Sequence, residues 1–500
     1  MLVLLTACDS VSDQVALCSC FVFSLPPLAT EEERASLVVC VKEAAQRVVE
    51  RWKMLQGTPE WTKDGVWAIR IPDDEDEQRL TRSTVGFSTA TYEQPYHLVA
   101  SVPSPLPPLS SAPSSILPAP QLSFFRPSTI LSAFSTHAKH AFPLVHIHVS
   151  LFSDSVAVGV SVPHGLLDGT GVGMLNRALS AELHGKEWTP PPLPEDGKNP
   201  FVAALEALDQ DEAAAAELRR RGDPSLKHSW RTMSVVGMLC FVVSILVEKL
   251  WWKSEWKRAF FRREMVERVV EKTKREVKEE TGGKEYVSTG DVLAAWLLKA
   301  SLADESNKNE RVAAASVFNL RPLLSDYAPT SLSTYACNCA LPYQLAFPLS
   351  LSTLSSTPLS ALALSFRRNL AKYHNLPSLL SLSRWMRSSP SFVPLRDWPS
   401  FLRPFAKTPY THRWIFTNQT SLGMADISLP FPSSSSEGRA EEDLPLTLYH
   451  LGWDMPLDTN NILAVQSVPG GGVTLCGNMR RSRWEALQRA VEELEAEGDT

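Results

Sequence analysis

Residues 155–179 read SVAVGVSVPHGLLDGTGVGMLNRAL, and the period of the apolar positions changes part-way along. Up to Pro163 the pattern is that of a strand. Beyond a glycine-rich turn, Met174, Leu175 and Leu179 fall at helical spacing, which predicts a helix starting near Gly171. His164 therefore stands at the end of a strand, where a rigid scaffold can hold it as a proton acceptor at neutral pH. Gly165, Gly169, Gly171 and Gly173 suit a close approach of backbone and ligand, and Asp168 is placed to orient either the turn or the imidazole. Spacing alone carries little weight. With 11 histidines and Asp at ordinary frequency, about half an HxxxD is expected by chance, and a second one stands at His450–Asp454.

Working outward, Val145–Leu151 and Ser155–Pro163 read as two strands joined at Ser153-Asp154, and residues 11–28 as a strand closed by Pro26-Pro27. Glu31–Leu55 has helical periodicity, with Thr30 as N-cap and Glu33 three places on. The Pro- and Ser-rich stretch 101–121 reads as an extended loop. Thr189–Pro200 is a second Pro-rich break and the best crossover between domains. Further helices are expected over Glu212–Arg221, Arg262–Glu280, Ser288–Ala300 (capped by Ser288 or Thr289) and Arg481–Glu497, with a strand over Val312–Leu320 and a solvated loop over Ser433–Asp443.

The chain has 500 residues, 44% hydrophobic and 21% charged, with a net charge of −6. That length exceeds one hydrophobic core and predicts two domains. No basic stripe interleaved with aromatics occurs, which argues against nucleic acid as a partner. The eight cysteines are irregularly placed. Neither Cys18/Cys20 nor Cys337/Cys339 has zinc-knuckle spacing, so reduced thiols in a cytoplasmic protein without metal are expected. Met1–Cys8 imitates the end of a secretory signal, but no Lys or Arg precedes Arg34, and the segment reads as mature protein. Met233–Val247 is the most hydrophobic run. It is shorter than the ~17–25 residues needed to span a bilayer. Arg231, Lys249, Trp251, Trp252 and Lys253 flank it as at a membrane surface, so it is either an interfacial helix or a buried core helix.

The HGLLDG segment, 164–169, resembles the HxxxDG motif of the BAHD-type acyltransferases, particularly their fungal-like branch. The resemblance covers most of the chain. LTACDSVSDQVALCSCFVFSLP (5–26) looks like the family's opening strand, and ERWKMLQG (50–57) like its first helix ending in a turn. STGDVLAAWLLKA (288–300), VFNLRPLL (317–324) and YACNCALPY (335–343) follow in the family's order, and GGGVTLCGNMRRSRWEALQ (470–488) looks like the last strand and helix. There are departures. The family's DFGWG would fall on His450-Leu451-Gly452-Trp453-Asp454, where only Gly452 and Trp453 match. Thr417-Asn418-Gln419 lacks the Trp often found there, and the segment 233–252 looks like an addition.

The resemblance implies an α/β (α+β), two-domain, chloramphenicol-acetyltransferase-like fold, each domain a mixed sheet flanked by helices, with the active-site channel between them. It divides the chain into 1–188, carrying HxxxD; a crossover, 189–257, with the hydrophobic helix; and 258–500. It implies a monomer that transfers an acyl group from acyl-CoA, a co-substrate, to a small alcohol or amine, with no further cofactor. His164 is the implied general base. Asp168, its motif partner, is implied to pair with Arg321 and, with Gly169, to hold the turn in shape. Asn338, Thr417, Gly452 and Trp453 are candidates for the substrate or CoA pocket. The rival reading is a condensation-like or degenerate acyl-ligand-binding protein without turnover.

Overall fold

The computed structural model describes the chain except residues 7–8, 10–11, 64, 73–84, 103–104, 130–132, 195–196, 222–229, 233, 306–308, 329–330, 389–396, 400–411, 432–441, 455–460 and 498–500. Most of the loop expected at Ser433–Asp443 lies outside the described residues. Two large mixed sheets organise the molecule, and their strands are numbered here in chain order. They are β1 (Ala16–Ser24), β2 (Gly86–Thr91), β3 (Ser115–Pro118), β4 (His146–Leu151), β5 (Ser155–Pro163) and β6 (Ser254–Phe261), then β7 (Arg311–Asn319), β8 (Ala340–Ser350), β9 (His412–Asn418), β10 (Leu446–Asp454), β11 (Ile462–Ser467) and β12 (Val473–Arg480).

The five-stranded sheet has the order β10-β1-β5-β4-β2, and the seven-stranded sheet β8-β7-β9-β11-β12-β6-β3. Each sheet takes one strand from across the chain's midpoint. β10 pairs antiparallel with β1, matching Gly452 with Cys18, and β3 pairs antiparallel with β6, matching Leu117 with Arg258. The stretch 101–121 is thus not loop throughout, as its composition suggests. Pairing with a distant strand fixes Ser115–Pro118 as an edge, where Pro118 is tolerated because one side of the strand needs no donor.

The helices form where their caps and apolar faces dictate. In α1 (Glu31–Arg51) Thr30 and Glu33 close a capping box, and Leu37, Val41, Ala44, Ala45, Val48 and Val49 are buried. That face packs on α2 (Gly169–Leu183). Arg47 and Arg51 of α1 hold the carboxylate of Glu182 on α2 at 2.9 and 2.8 Å. α2 begins at Gly169 rather than near Gly171, because Asp168 is its N-cap.

The hydrophobic run forms α3 (Val235–Leu250), capped by Ser234. As an interfacial helix it is expected to send Leu239, Phe241, Val242 and Ile245 outward, but Phe241 and Ile245 turn inward and are 4% and 8% exposed. Being one turn apart they share a face, which rests with α3 against β6. The opposite face, Val235, Val236, Leu239, Val243, Leu246, Val247 and Leu250, is exposed. Two more helices matter for the site: α4 (Thr289–Ser301), capped by Ser288, and α5 (Leu359–Tyr373).

Candidate active site

β5 is buried along its whole length between β1 and β4, and it delivers His164 beyond its last residue. The His164 amide donates to the Val15 carbonyl at 2.7 Å, carrying the β1 pairing one residue further. The Leu166 amide turns back to the Pro163 carbonyl at 3.0 Å. Leu166 and Leu167 fill the core, and this anchors the turn. His164 itself is half-buried.

The imidazole Nδ1 lies 3.1 Å from the Leu167 carbonyl oxygen. A carbonyl accepts only, so Nδ1 carries the proton and donates, and Nε2 keeps its lone pair. Burial pushes the imidazolium below its ordinary value of 6.5, so the neutral, proton-accepting form prevails at pH 7.

Asp168 makes no hydrogen bond to that imidazole. As N-cap of α2, its Oδ1 accepts from the Thr170 and Gly171 amides at 3.0 and 3.1 Å. The same carboxylate takes a fork from Arg321, Nη1 to Oδ2 at 2.8 Å and Nη2 to Oδ1 at 3.1 Å, and the Cys339 amide donates to Oδ2 at 3.1 Å. Arg321 completes its shell by donating to the carbonyls of Tyr335 and Cys337 at 2.8 and 2.7 Å. Every polar position of this buried pair is used inside the protein. Asp168 is a positioning residue rather than an orienter of the histidine.

Three of the turn's four glycines meet the other half closely, while Gly165 meets Phe134, Asp13 and Asp9. A Cβ on Gly171 would sit 2.2 Å from the Ala336 carbonyl oxygen, and one on Gly173 the same distance from that of Leu422. On Gly169 it would meet Leu422 and Gln419. Asn338 is buried, donating its Nδ2 to the His164 carbonyl at 2.7 Å and to the Asp9 carboxylate at 3.0 Å. It holds the histidine's backbone. Nothing in the sequence singles out Asp9, whose carboxylate also accepts from the Asn338 amide at 3.0 Å. It is fully enclosed, and burial raises its pKa to about 6.

A cavity of about 220 Å³ lies between the ends of β7 and β9, α4 and α5, its walls including Ser288, Phe318, Asn319, Phe416, Thr417 and Asn418, and His164 is not among them. Asn319 joins it to the turn, because its side-chain oxygen accepts from Arg321 Nη1 at 3.1 Å. Of the four residues expected at a pocket, Thr417 lines this cavity and Asn338, Gly452 and Trp453 do not. Gly452 leaves room for Leu122, and Trp453 packs edge-on to Trp256, 5.6 Å between centroids. The second HxxxD, His450–Asp454, lies along β10 itself, with no turn after the histidine.

Comparison with known proteins agrees with this architecture. The O-acyltransferase pboC of Aspergillus ustus is 25% identical over 380 residues, 72% of this chain and 72% of that protein. The structure of F. graminearum TRI101 complexed with Coenzyme A and deoxynivalenol superposes with a TM-score of 0.66 at 11% identity, covering 98% of this chain and 97% of that one. The chain shares the fold of the BAHD-type acyltransferases. No family model matches it. Another relative, the transcriptional regulator calD of Penicillium decumbens, is 21% identical over 468 residues, 91% of this chain and 89% of that protein. The BAHD-type fold places the His164 turn where the two sheets' halves meet: α2 from one, the 336–338 and 419–422 segments from the other.

Proposed function

We propose that the chain transfers an acyl group from acyl-CoA to a hydroxyl of a small lipophilic acceptor, with His164 as general base. The observation that carries this is the fixed tautomer: Nδ1 is spent on Leu167, and Nε2, which has no hydrogen-bond partner among the described residues, keeps its lone pair free to accept a proton. Nε2 takes the acceptor's proton as its oxygen attacks the thioester carbonyl carbon. The tetrahedral oxyanion then collapses with cleavage of the C–S bond, and the imidazolium returns the proton to the departing thiolate. Neither an acyl-enzyme nor a metal is required for this balance. The cavity lined by Phe318, Phe416 and Thr417 suits the pocket side of that reaction, and Arg321, bonded to Asn319 of its wall, holds the turn through Asp168.

The test is release of free CoA thiol from acetyl- and longer acyl-CoAs, measured against an alcohol and amine panel across pH. Turnover should depend on an alcohol. Because the active form is the neutral imidazole and burial lowers its pKa, activity should persist below pH 6.5 and fall only on further acidification. Absence of alcohol-dependent thiol release across the panel would leave the binding-protein reading, and an acid limb above 6.5 would remove the buried-base argument.

We further propose that α3 docks the enzyme on an anionic membrane surface, where a lipophilic acceptor would be found. No helix among the described residues is long and apolar enough to cross a membrane. Sixteen residues give about 24 Å of helix, lying on the surface rather than through it. Val235, Leu239, Leu250 and Trp251 are 80, 61, 76 and 78% exposed. The helix's one acid, Glu248, is turned inward by Arg480, at 2.8 and 2.6 Å. Lys249 and Lys253 are exposed at the same end as Trp251 and Trp252, the arrangement favoured at head groups. The chain should co-sediment with phosphatidylserine-containing vesicles, and the triple variant Leu239→Gln, Val243→Gln, Leu246→Gln should stay in the supernatant with its turnover intact. Wild-type chain that stays in the supernatant would end this proposal.

A further inference from the structure

Arg258, near the middle of β6, is 2% exposed and sits cross-strand from Cys476 on β12 and Leu117 on β3. Its Nε and Nη1 have no hydrogen-bond partner among the described residues. Two more orphaned polar atoms belong to residues within electrostatic reach of it. One is Nδ1 of His450 on β10, and the other is the hydroxyl of Tyr96. These residues are 2% and 3% exposed. The three come together because β10 lies against β12 there, with the Leu451 backbone on the Cys476 thiol.

The electrostatics agree with the geometry. Burial, and then the Arg258 charge, depress the His450 imidazolium to about 3. The groups that act on Arg258 in return are the Cys476 thiol and the Tyr96 phenol. Burial raises both, the thiol to about 12, so neither supplies an anion at neutral pH. The acid further along β10, Asp454, is taken by Arg126. Among the described residues, the buried guanidinium thus has a neutral thiol, phenol and imidazole around it and no counter-charge. Deep burial of an unpaired charge is strongly unfavourable. A water molecule would accept from its N–H groups without neutralising it.

We propose that a small monovalent inorganic anion of the halide class binds between Arg258, Tyr96 and His450. The guanidinium supplies charge and two N–H donors, the phenol an O–H, and the neutral imidazole one N–H. The site lies on the β6–β10 contact, away from the His164 turn, and ties together the two sheets rather than acting on a substrate. It is independent of the proposed acyl transfer.

Thermal unfolding of the full chain tests it, in sodium chloride or bromide against sodium isethionate at equal ionic strength. The halides should raise Tm saturably, by about 2–5 °C at a hundredfold excess over Kd. Arg258→Leu should abolish the halide-specific rise, and Tyr96→Phe should weaken the apparent halide affinity several-fold. A crystal soaked in bromide should show an anomalous peak beside Arg258, and this arm needs no variant should Arg258→Leu fail to fold. Equal Tm in halide and isethionate, a halide-specific rise that survives in Arg258→Leu, or a water without anomalous signal at Arg258 would each overturn the proposal.

Discussion

His164→Ala is expected to lower kcat by roughly 10²–10⁴, the range for loss of a general base, in a protein that unfolds like the wild type. The fold should survive because what anchors the turn is not the imidazole. The His164 amide still reaches Val15, its carbonyl still receives the Asn338 side chain, and Leu166 and Leu167 stay buried. The change removes one side-chain hydrogen bond, Nδ1 to Leu167, worth about 0.5–1.5 kcal/mol. Single-turnover rates at saturating acyl-CoA, with urea unfolding of the same preparation, separate chemistry from folding. A normally folded variant with near-wild-type kcat would sink the general-base assignment.

Asp168→Asn should have the opposite profile, a large loss of stability with a secondary loss of rate. Asn caps a helix about as well as Asp, so the substitution leaves the cap on α2 nearly intact and isolates the charge. Arg321 then stays buried with only neutral acceptors: the Tyr335 and Cys337 carbonyls and the Asn319 side chain. Removing one partner of a buried pair costs about 3–5 kcal/mol, and these acceptors place the expected loss near the lower bound. Urea unfolding reads the effect directly. A loss under about 1 kcal/mol would show that the pair is not what holds the turn.

The parts of the fold that local sequence encodes were legible in it. The change of period across 155–179, the Thr30–Glu33 box and the Ser288 cap each depend on residues within a turn of one another, and each forms as expected. The Asp168–Arg321 pair was legible only through family resemblance, since no local rule links residues so far apart. What escaped was set by tertiary contact. Ser115–Pro118 becomes a strand because β6 offers it an edge. Gly171 and Gly173 lie against the Ala336 and Leu422 carbonyls, and Phe241 and Ile245 face inward where α3 rests on β6. Asp9 and Asn338 found each other across 329 residues of sequence, and nothing in either neighbourhood announces the contact. Gly452 and Trp453 matched a motif, yet they pack against Leu122 and Trp256 away from the cavity.

The strand exchanged between the sheets bears on how the protein is made. β1 is apolar along nearly its whole length, and its outer edge is covered only by β10. On a translating ribosome, β1, β4 and β5 emerge long before residue 446 is synthesised. At ordinary elongation rates that delay is on the order of tens of seconds. During it the nascent sheet presents an unpaired hydrophobic edge, the kind of surface that recruits other chains. Its final pairing is also among the most distant in sequence, which makes it slow to find. Dependence on chaperones during synthesis, and low recovery from bacterial hosts that translate quickly, follow from where one strand sits in the chain.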